Sequence, residues 1–341
     1  MLGTGERALV GGPYFEEFEH GQVFDQSPAL TLTPGHAALH QALVGDRLKL
    51  ALDARLSNVV TGHDEPLAHP SLVCDVAIGQ STAPTQRVRG NLFYRGLVLL
   101  APVFIDDTLR TRTEVVALKQ NRPREDGSAT GLVVLRISTA NQRGEQVLDF
   151  WRCAMIPLGD TSVQTGHADG FDEIPQELDM TVVEAAVPSG WRFDLFREHA
   201  RGEHFADVAA GSEYEIEGRD SVTAAPELAR LTLNIASAHT DAGATGQGRR
   251  LVYGGHTIAV AAAQAARALP NLVTVVAWRS CDHTGPVFDG DILATRLTVE
   301  AVHPFEQRDG GLVDLRAQTT ADHGDGESEP VLDWRFVGVM A

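Results

Sequence analysis

The chain repeats itself at long range. Pro102-Val103-Phe104 and Asp107 recur as Pro286-Val287-Phe288 and Asp291, 184 positions later. Tyr94-Arg95 returns as Trp278-Arg279, and Val147-Leu148-Asp149 as Val331-Leu332-Asp333, at the same offset. Gly131-Leu132-Val133 and Leu135-Arg136 come back as Gly311-Leu312-Val313 and Leu315-Arg316, four positions out of step. A period this long belongs to a duplicated domain; solenoid repeats run to roughly 20–50 residues. A length of 341 residues suits two domains of roughly 150 residues, each large enough for its own core. The expected division is a first unit over residues 1–158, a polar, acidic linker over 159–180, and a second unit over 181–341. Differences between the copies then show which one has kept a site.

Charge narrows the partners. The net charge of −18 argues against a nucleic-acid scaffold, which needs a basic face. It also repels anionic ligands, so local Arg residues would have to create a positive entrance. No apolar run approaches the roughly 18 residues of a membrane span. Met1 to Gly12 lacks a basic region followed by an apolar stretch, so no secretory signal is expected. Cys74, Cys153 and Cys281 are odd in number and far apart. They fit buried free thiols and a cytoplasmic location.

Pro34 to Val44 reads as a short helix, with Pro at a first helical position. Ser71 to Gln80 reads as a buried helix after His69-Pro70. Thr257 to Leu269 is the clearest helix, rich in Ala and stopped by Pro270. After each buried helix come four runs of β-branched and aromatic residues broken by Gly, Asp and Asn turns, as strands should be. A buried helix followed by long antiparallel strands is an α+β arrangement with a curved sheet around the helix. That is the hotdog architecture; two copies make a double hotdog.

The segment before the second buried helix, LTLNIASAHTDAGATGQGRRLVYGGHTIAVA, gathers the ingredients of proton transfer. His239 can take and return a proton near neutral pH. Asn234 or Asp241 can hold a water or orient the imidazole. Gly254 and Gly255, at the helix entry, offer backbone N–H groups to a developing oxyanion. Elsewhere, His36, His40, His63, His69, His199 and His204 show no compact metal-ligand spacing, so no metal is expected. The stretch Gly79 to Ala83 lacks the second Gly of a nucleophile elbow. The glycine-rich Gly243 to Gly248 has no P-loop Lys and reads as a flexible loop.

This stretch resembles the MaoC-like, or R-specific enoyl-CoA hydratase, family. Its motif has an Asp, a His five residues later, and a His-Gly at the helix start. Asn234 stands at the Asp position, His239 at the His, and Tyr253-Gly254 at the His-Gly. The resemblance covers nearly the whole chain and is strongest to the mesaconyl-CoA hydratase (β-methylmalyl-CoA dehydratase) branch. LAHPSLVCDVAIGQST and NLFYRGL in the first half, and RRLVYGGHTIAVA in the second, carry it. Asn234 departs from the motif, because a neutral amide cannot act as a base. In the first half Asp46 looks like the motif Asp, but Ala51 stands where His is expected and His69-Pro70 replaces Tyr-Gly. That half reads as a degenerate copy.

The resemblance implies a cofactor-independent hydro-lyase, reversibly hydrating a short branched enoyl-CoA, mesaconyl-CoA to β-methylmalyl-CoA. His239 would move the proton and Asn234 would position the water. Asp241 would fix the imidazole or share the proton. Tyr253 would line the pocket, and Gly254 and Gly255 would bind the enolate oxygen. Arg250, with Arg279 second, would take the substrate's free carboxylate. A CoA thioester is the expected partner, with neither nucleic acid nor membrane, and a homodimer stays open. Two other classes remain, a hotdog thioesterase with Asp241 as its carboxylate, and a non-catalytic acyl-CoA binder.

Overall fold

The computed structural model describes residues 10–123, 127–245, 248–324 and 326–341. Most of the Met1–Gly12 segment lies outside the described residues, as do Gly246 and Gln247 of the glycine-rich loop. The first half runs β1 (Val23–Phe24), β2 (Leu30–Thr31), α1 (Pro34–Val44), α2 (Lys49–Leu52), α3 (Ala54–Thr61) and α4 (Pro70–Gln80). Four long strands follow, β3 (Gly90–Val98), β4 (Thr108–Gln120), β5 (Thr130–Ala140) and β6 (Gln146–Pro157). After α5 (Met180–Ala185) and α6 (Phe193–His199), the second half repeats the order. It has β7 (Glu213–Glu215), β8 (Asp220–Ser221), α7 (Ala225–Leu231), α8 (Gly254–Ala268), β9 (Leu272–His283), β10 (Ile292–Pro304), β11 (Gly311–Asp322) and β12 (Ser328–Met340).

Alternation builds the sheet. In β4, Leu109, Thr111, Thr113 and Val115 are buried while Arg110 and Arg112 face outward. The register slips between Val115 and Ala117, and again between Val299 and Ala301 at the repeat offset. Such bulges bend a strand, and here they recur on β4 and β10, which contact α4 and α8 respectively. All of α4 is buried, as is α8 from Gly255 to Ala266, and the two helices pack against each other.

The strands form one antiparallel sheet in the order β1-β4-β5-β6-β3-β9-β12-β11-β10-β7. The halves meet edge to edge, β3 pairing β9 from Tyr94↔Cys281 to Val98↔Ala277. Pairing the two inner edges leaves neither open to a foreign strand. This is the α+β double hotdog that the repeat implied. Several elements were not foreseen: α2, α3, α5, α6 and α7 are short, and α8 starts at Gly254, three residues before the expected Thr257. Residues 159–179 hold no helix or long strand, yet they are tied down. Gln120 Nε2 donates to the carbonyl of Val163, and Asp169 Oδ2 accepts from Leu118 N. No described helix is long and apolar enough to cross a membrane. Cys74, Cys153 and Cys281 are buried free thiols.

Candidate active site

The approach to the site is set by one close contact. A Cβ on Gly79 of α4 would run into the carbonyl of Thr232, so only Gly lets the chain after α7 come this near. Leu233 then turns through a left-handed backbone, φ 62°, a conformation a branched-chain residue holds only when its surroundings impose it. Asn234 follows, buried. Its Oδ1 accepts from Ala236 N at 3.0 Å, so its NH2 is the edge left for a ligand. Thr82 Oγ1 accepts from Ile235 N at 3.1 Å and pins the segment to the first half.

His239 ends a short 3-10 turn, Ser237–His239. Its Nδ1 lies 2.9 Å from the carbonyl of Leu251. A carbonyl only accepts, so Nδ1 carries the proton and Nε2 keeps its lone pair. Burial holds the pKa of His239 below the ordinary value, opposed by that hydrogen bond. The ring is therefore neutral at pH 7, the form a general base requires. Tyr253 packs beside it, ring centroids 5.6 Å apart, and its hydroxyl donates to the carbonyl of Asp75 at 3.2 Å.

Tyr253 is also the N-cap of α8, so the N–H groups of Gly254 and Gly255 lie in its first turn. Both positions exclude a side chain. A Cβ on Gly254 would come within 2.6 Å of His283 Nε2, and one on Gly255 would collide with Asp75 Oδ1.

These groups open onto a cavity of about 260 Å³ with walls from both halves. The second half contributes Asn234, His239, Tyr253, Gly254, Thr257 and His283. The first contributes Ile78, Thr82, Thr85, Arg89, Asn91 and Arg152. Among the described residues no Asp or Glu lines it, in a chain of net charge −18. His283 is half-buried, and desolvation drops its pKa to about 4, so it too is neutral. Arg89 is exposed, and among the described residues no carboxylate pairs with it.

The cavity thus brings together Asn234, His239, Tyr253 and Gly254, and leaves out the other expected residues. Asp241 is exposed and accepts from Gly243 N at 2.8 Å, stabilising a turn. Arg250 is paired with Asp289. Arg279 is held by Asp314 at 2.8 Å. Gly255 faces Asp75 behind the wall. His283, Arg89 and Arg152 were missed. They sit on strands or at a strand start, remote from the motif, and only the repeat offset could have marked two of them: His283 stands where the first copy has Leu99, and Arg152 where the second has Phe336. Among the described residues no three His, Cys, Asp or Glu side chains gather as metal ligands.

The corresponding place in the first copy is nearly filled. Leu67, Ala68, Pro70, Val73 and Leu99 there match Leu251, Val252, Gly254, Thr257 and His283 at the repeat offset. The remaining space is about 30 Å³, with Ala186 and Trp191 seated against it. Asp46, which the spacing had left facing Ala51, instead meets His69, with Asp46 Oδ1 and His69 Nε2 2.7 Å apart. The first copy therefore holds an Asp–His pair, assembled from residues too far apart in the chain for a motif to reveal.

A family model described as Mesaconyl-CoA hydratase matches residues 5–280. Mesaconyl-CoA hydratase of Cereibacter sphaeroides is 30% identical over 322 residues, covering 92% of this chain and 90% of its own. Beta-methylmalyl-CoA dehydratase of Chloroflexus aurantiacus is 29% identical over 353 residues, covering 96% and 97%. Among solved structures, a conserved hypothetical protein of Mycobacterium tuberculosis superposes with a TM-score of 0.89. It is 46% identical and is described as having a double hotdog fold; the match covers 98% of this chain and 100% of that one.

Proposed function

The chain belongs to the mesaconyl-CoA hydratase family, and on that footing we propose that its cavity reversibly hydrates mesaconyl-CoA to β-methylmalyl-CoA. More coarsely, it is a hydratase/dehydratase of CoA thioesters. The observation that carries the finer reading is His239. Its Nδ1–H is committed to Leu251, its Nε2 is basic, and it shares a wall with the Asn234 amide and the Gly254 N–H.

The thioester carbonyl draws electrons from the conjugated double bond and makes the β-carbon electrophilic. Asn234 NH2 donates to the oxygen of a water and holds it at the β-carbon. His239 Nε2 takes a proton from that water as its oxygen bonds to the β-carbon. Charge moves to the thioester oxygen, where the Gly254 N–H at the positive end of α8 stabilises it. The imidazolium then returns its proton to the α-carbon, so the elements of water are added and the base is restored. The reverse sequence dehydrates the product. Arg89, exposed at the rim, is suited to the phosphates of CoA. No metal or organic cofactor enters these steps.

The wall speaks against thioester hydrolysis, which needs a carboxylate aimed at the carbonyl; Asp241 points away. The test is incubation with mesaconyl-CoA, following enoyl-thioester absorbance and free thiol in parallel. Absorbance should fall without thiol release. Thiol release would make the protein a thioesterase, and neither signal would sink the reaction proposed.

A further inference from the structure

Arg152 is the only Arg or Lys among the described residues that is buried, 1% exposed. It lies on β6 and lines the cavity. Its Nη2 donates to the carbonyl of Ser81 at 2.8 Å and to Thr85 Oγ1 at 2.9 Å, and its Nη1 donates to Asn91 Oδ1 at 3.3 Å. All three partners are neutral. Among the described residues no carboxylate approaches it, and its Nε–H has no partner at all. A cation taken out of water without a counter-charge is expensive to maintain.

The fold itself does not require this arginine. Arg152 pairs with Tyr94 in the sheet, and 184 positions on Phe336 pairs with Trp278 in the same way. The second copy thus fills the position with an apolar ring. The first copy, whose β6 faces the open cavity, has a guanidinium held in place by neutral acceptors and lacking an anion. The cations expected to bind an acyl carboxylate, Arg250 and Arg279, are already paired with Asp289 and Asp314.

We propose that Arg152 receives a free carboxylate on the acyl group, so that the site selects thioesters of branched dicarboxylic acids over their uncharged counterparts. The identity of the acyl group rests on the hydration reading; the need for an anion beside Arg152 does not. The other anion on such a ligand is CoA phosphate, present in charged and uncharged thioesters alike, so substrate pairs separate the two.

The test uses the full chain and two saturated thioesters that cannot be hydrated, methylsuccinyl-CoA and 2-methylbutyryl-CoA. They differ in a carboxylate. A charge-assisted bond predicts that the wild type binds the first more tightly by on the order of 10–100-fold. Arg152→Gln and Arg152→Phe, the latter copying position 336, should erase that preference while binding 2-methylbutyryl-CoA as before. A wild type without preference overturns the proposal, whether or not the variants fold. So does a folded variant that keeps the preference, or one that loses both ligands equally, which would mean a phosphate contact or a structural role. If the wild type hydrates no enoyl-CoA yet shows an Arg152-dependent preference, the hydration reading fails and this proposal stands. If it hydrates mesaconyl-CoA without that preference, the reverse holds.

Discussion

Asp46 Oδ1 lies 2.7 Å from Nε2 of His69, with both side chains buried and outside the open cavity. Asp46 Oδ1 also accepts from Leu48 N, while His69 Nδ1 accepts from Ser71 N and caps α4. The pair ties the α1–α2 connection to the start of a central helix. Asp46→Asn should therefore lower stability by about 1–3 kcal/mol and leave kcat on mesaconyl-CoA within about threefold. Thermal unfolding and steady-state kinetics read the two effects. A folded but inactive variant would move the chemistry to the first copy.

His239→Ala should stay folded and lose on the order of 10²–10⁴-fold in kcat, as expected for one general acid–base. Because burial depresses its pKa, the neutral base persists as pH falls below the usual histidine range. The acid limb of kcat/KM should accordingly lie below pH 6.5. Circular dichroism and a pH–rate profile check both points; a limb well above 6.5 would point to another group.

Asn234→Asp keeps the acceptor for Ala236 N but replaces the NH2 donor with an oxygen. If the amide holds water by donating, kcat should drop at least about tenfold with little change in melting temperature. Retained activity would reduce Asn234 to a cap of its own turn.

Gly255→Ala should destabilise the protein by about 1–3 kcal/mol through overpacking, since its Cβ meets Asp75 and the Tyr253 ring. Gly254→Ala meets only the end of the His283 ring. It should unfold nearer the wild-type temperature yet lose activity, by crowding the N–H proposed as the oxyanion donor. The two melting curves, set beside the two kcat values, separate these effects.

His256 is buried and His283 half-buried, and desolvation lowers the pKa of each to about 4, so both are neutral. The unfolded chain binds protons near pH 6.5. The stability these groups preserve is complete above that pH and is lost as pH falls toward 4. Melting temperature should decline across this window. His283→Leu, matching Leu99 of the first copy, should make the decline shallower; an unchanged slope would show that His283 is not among its causes.

Much of this was legible in the chain. The offset between Pro102-Val103-Phe104 and Pro286-Val287-Phe288 implied the duplication, and strand alternation with two apolar helices implied the fold. At the site, Asn234, His239, Tyr253 and Gly254 fall within one short stretch, so local spacing could find them. Arg250 and Asp241 lie in that same stretch but turn to Asp289 and to Gly243 N. Nearness along the chain does not say which way a side chain points. Arg152 and His283 reach the cavity across the sheet, through a pairing that only the three-dimensional register supplies.

The β3–β9 junction makes one polypeptide do what two identical subunits would otherwise do. In a two-fold homodimer every substitution appears twice, and both sites change together. Here the genes for the two halves are one, but their positions are separately mutable. Trp191 can block one pocket without touching the other, and an arginine can appear at 152 without appearing at 336. The two halves are therefore not symmetric around their pockets. Each half can bring its own side chains to the cavity, Arg152 where the other copy has Phe336 and His283 where the other has Leu99, with no matching change in its twin.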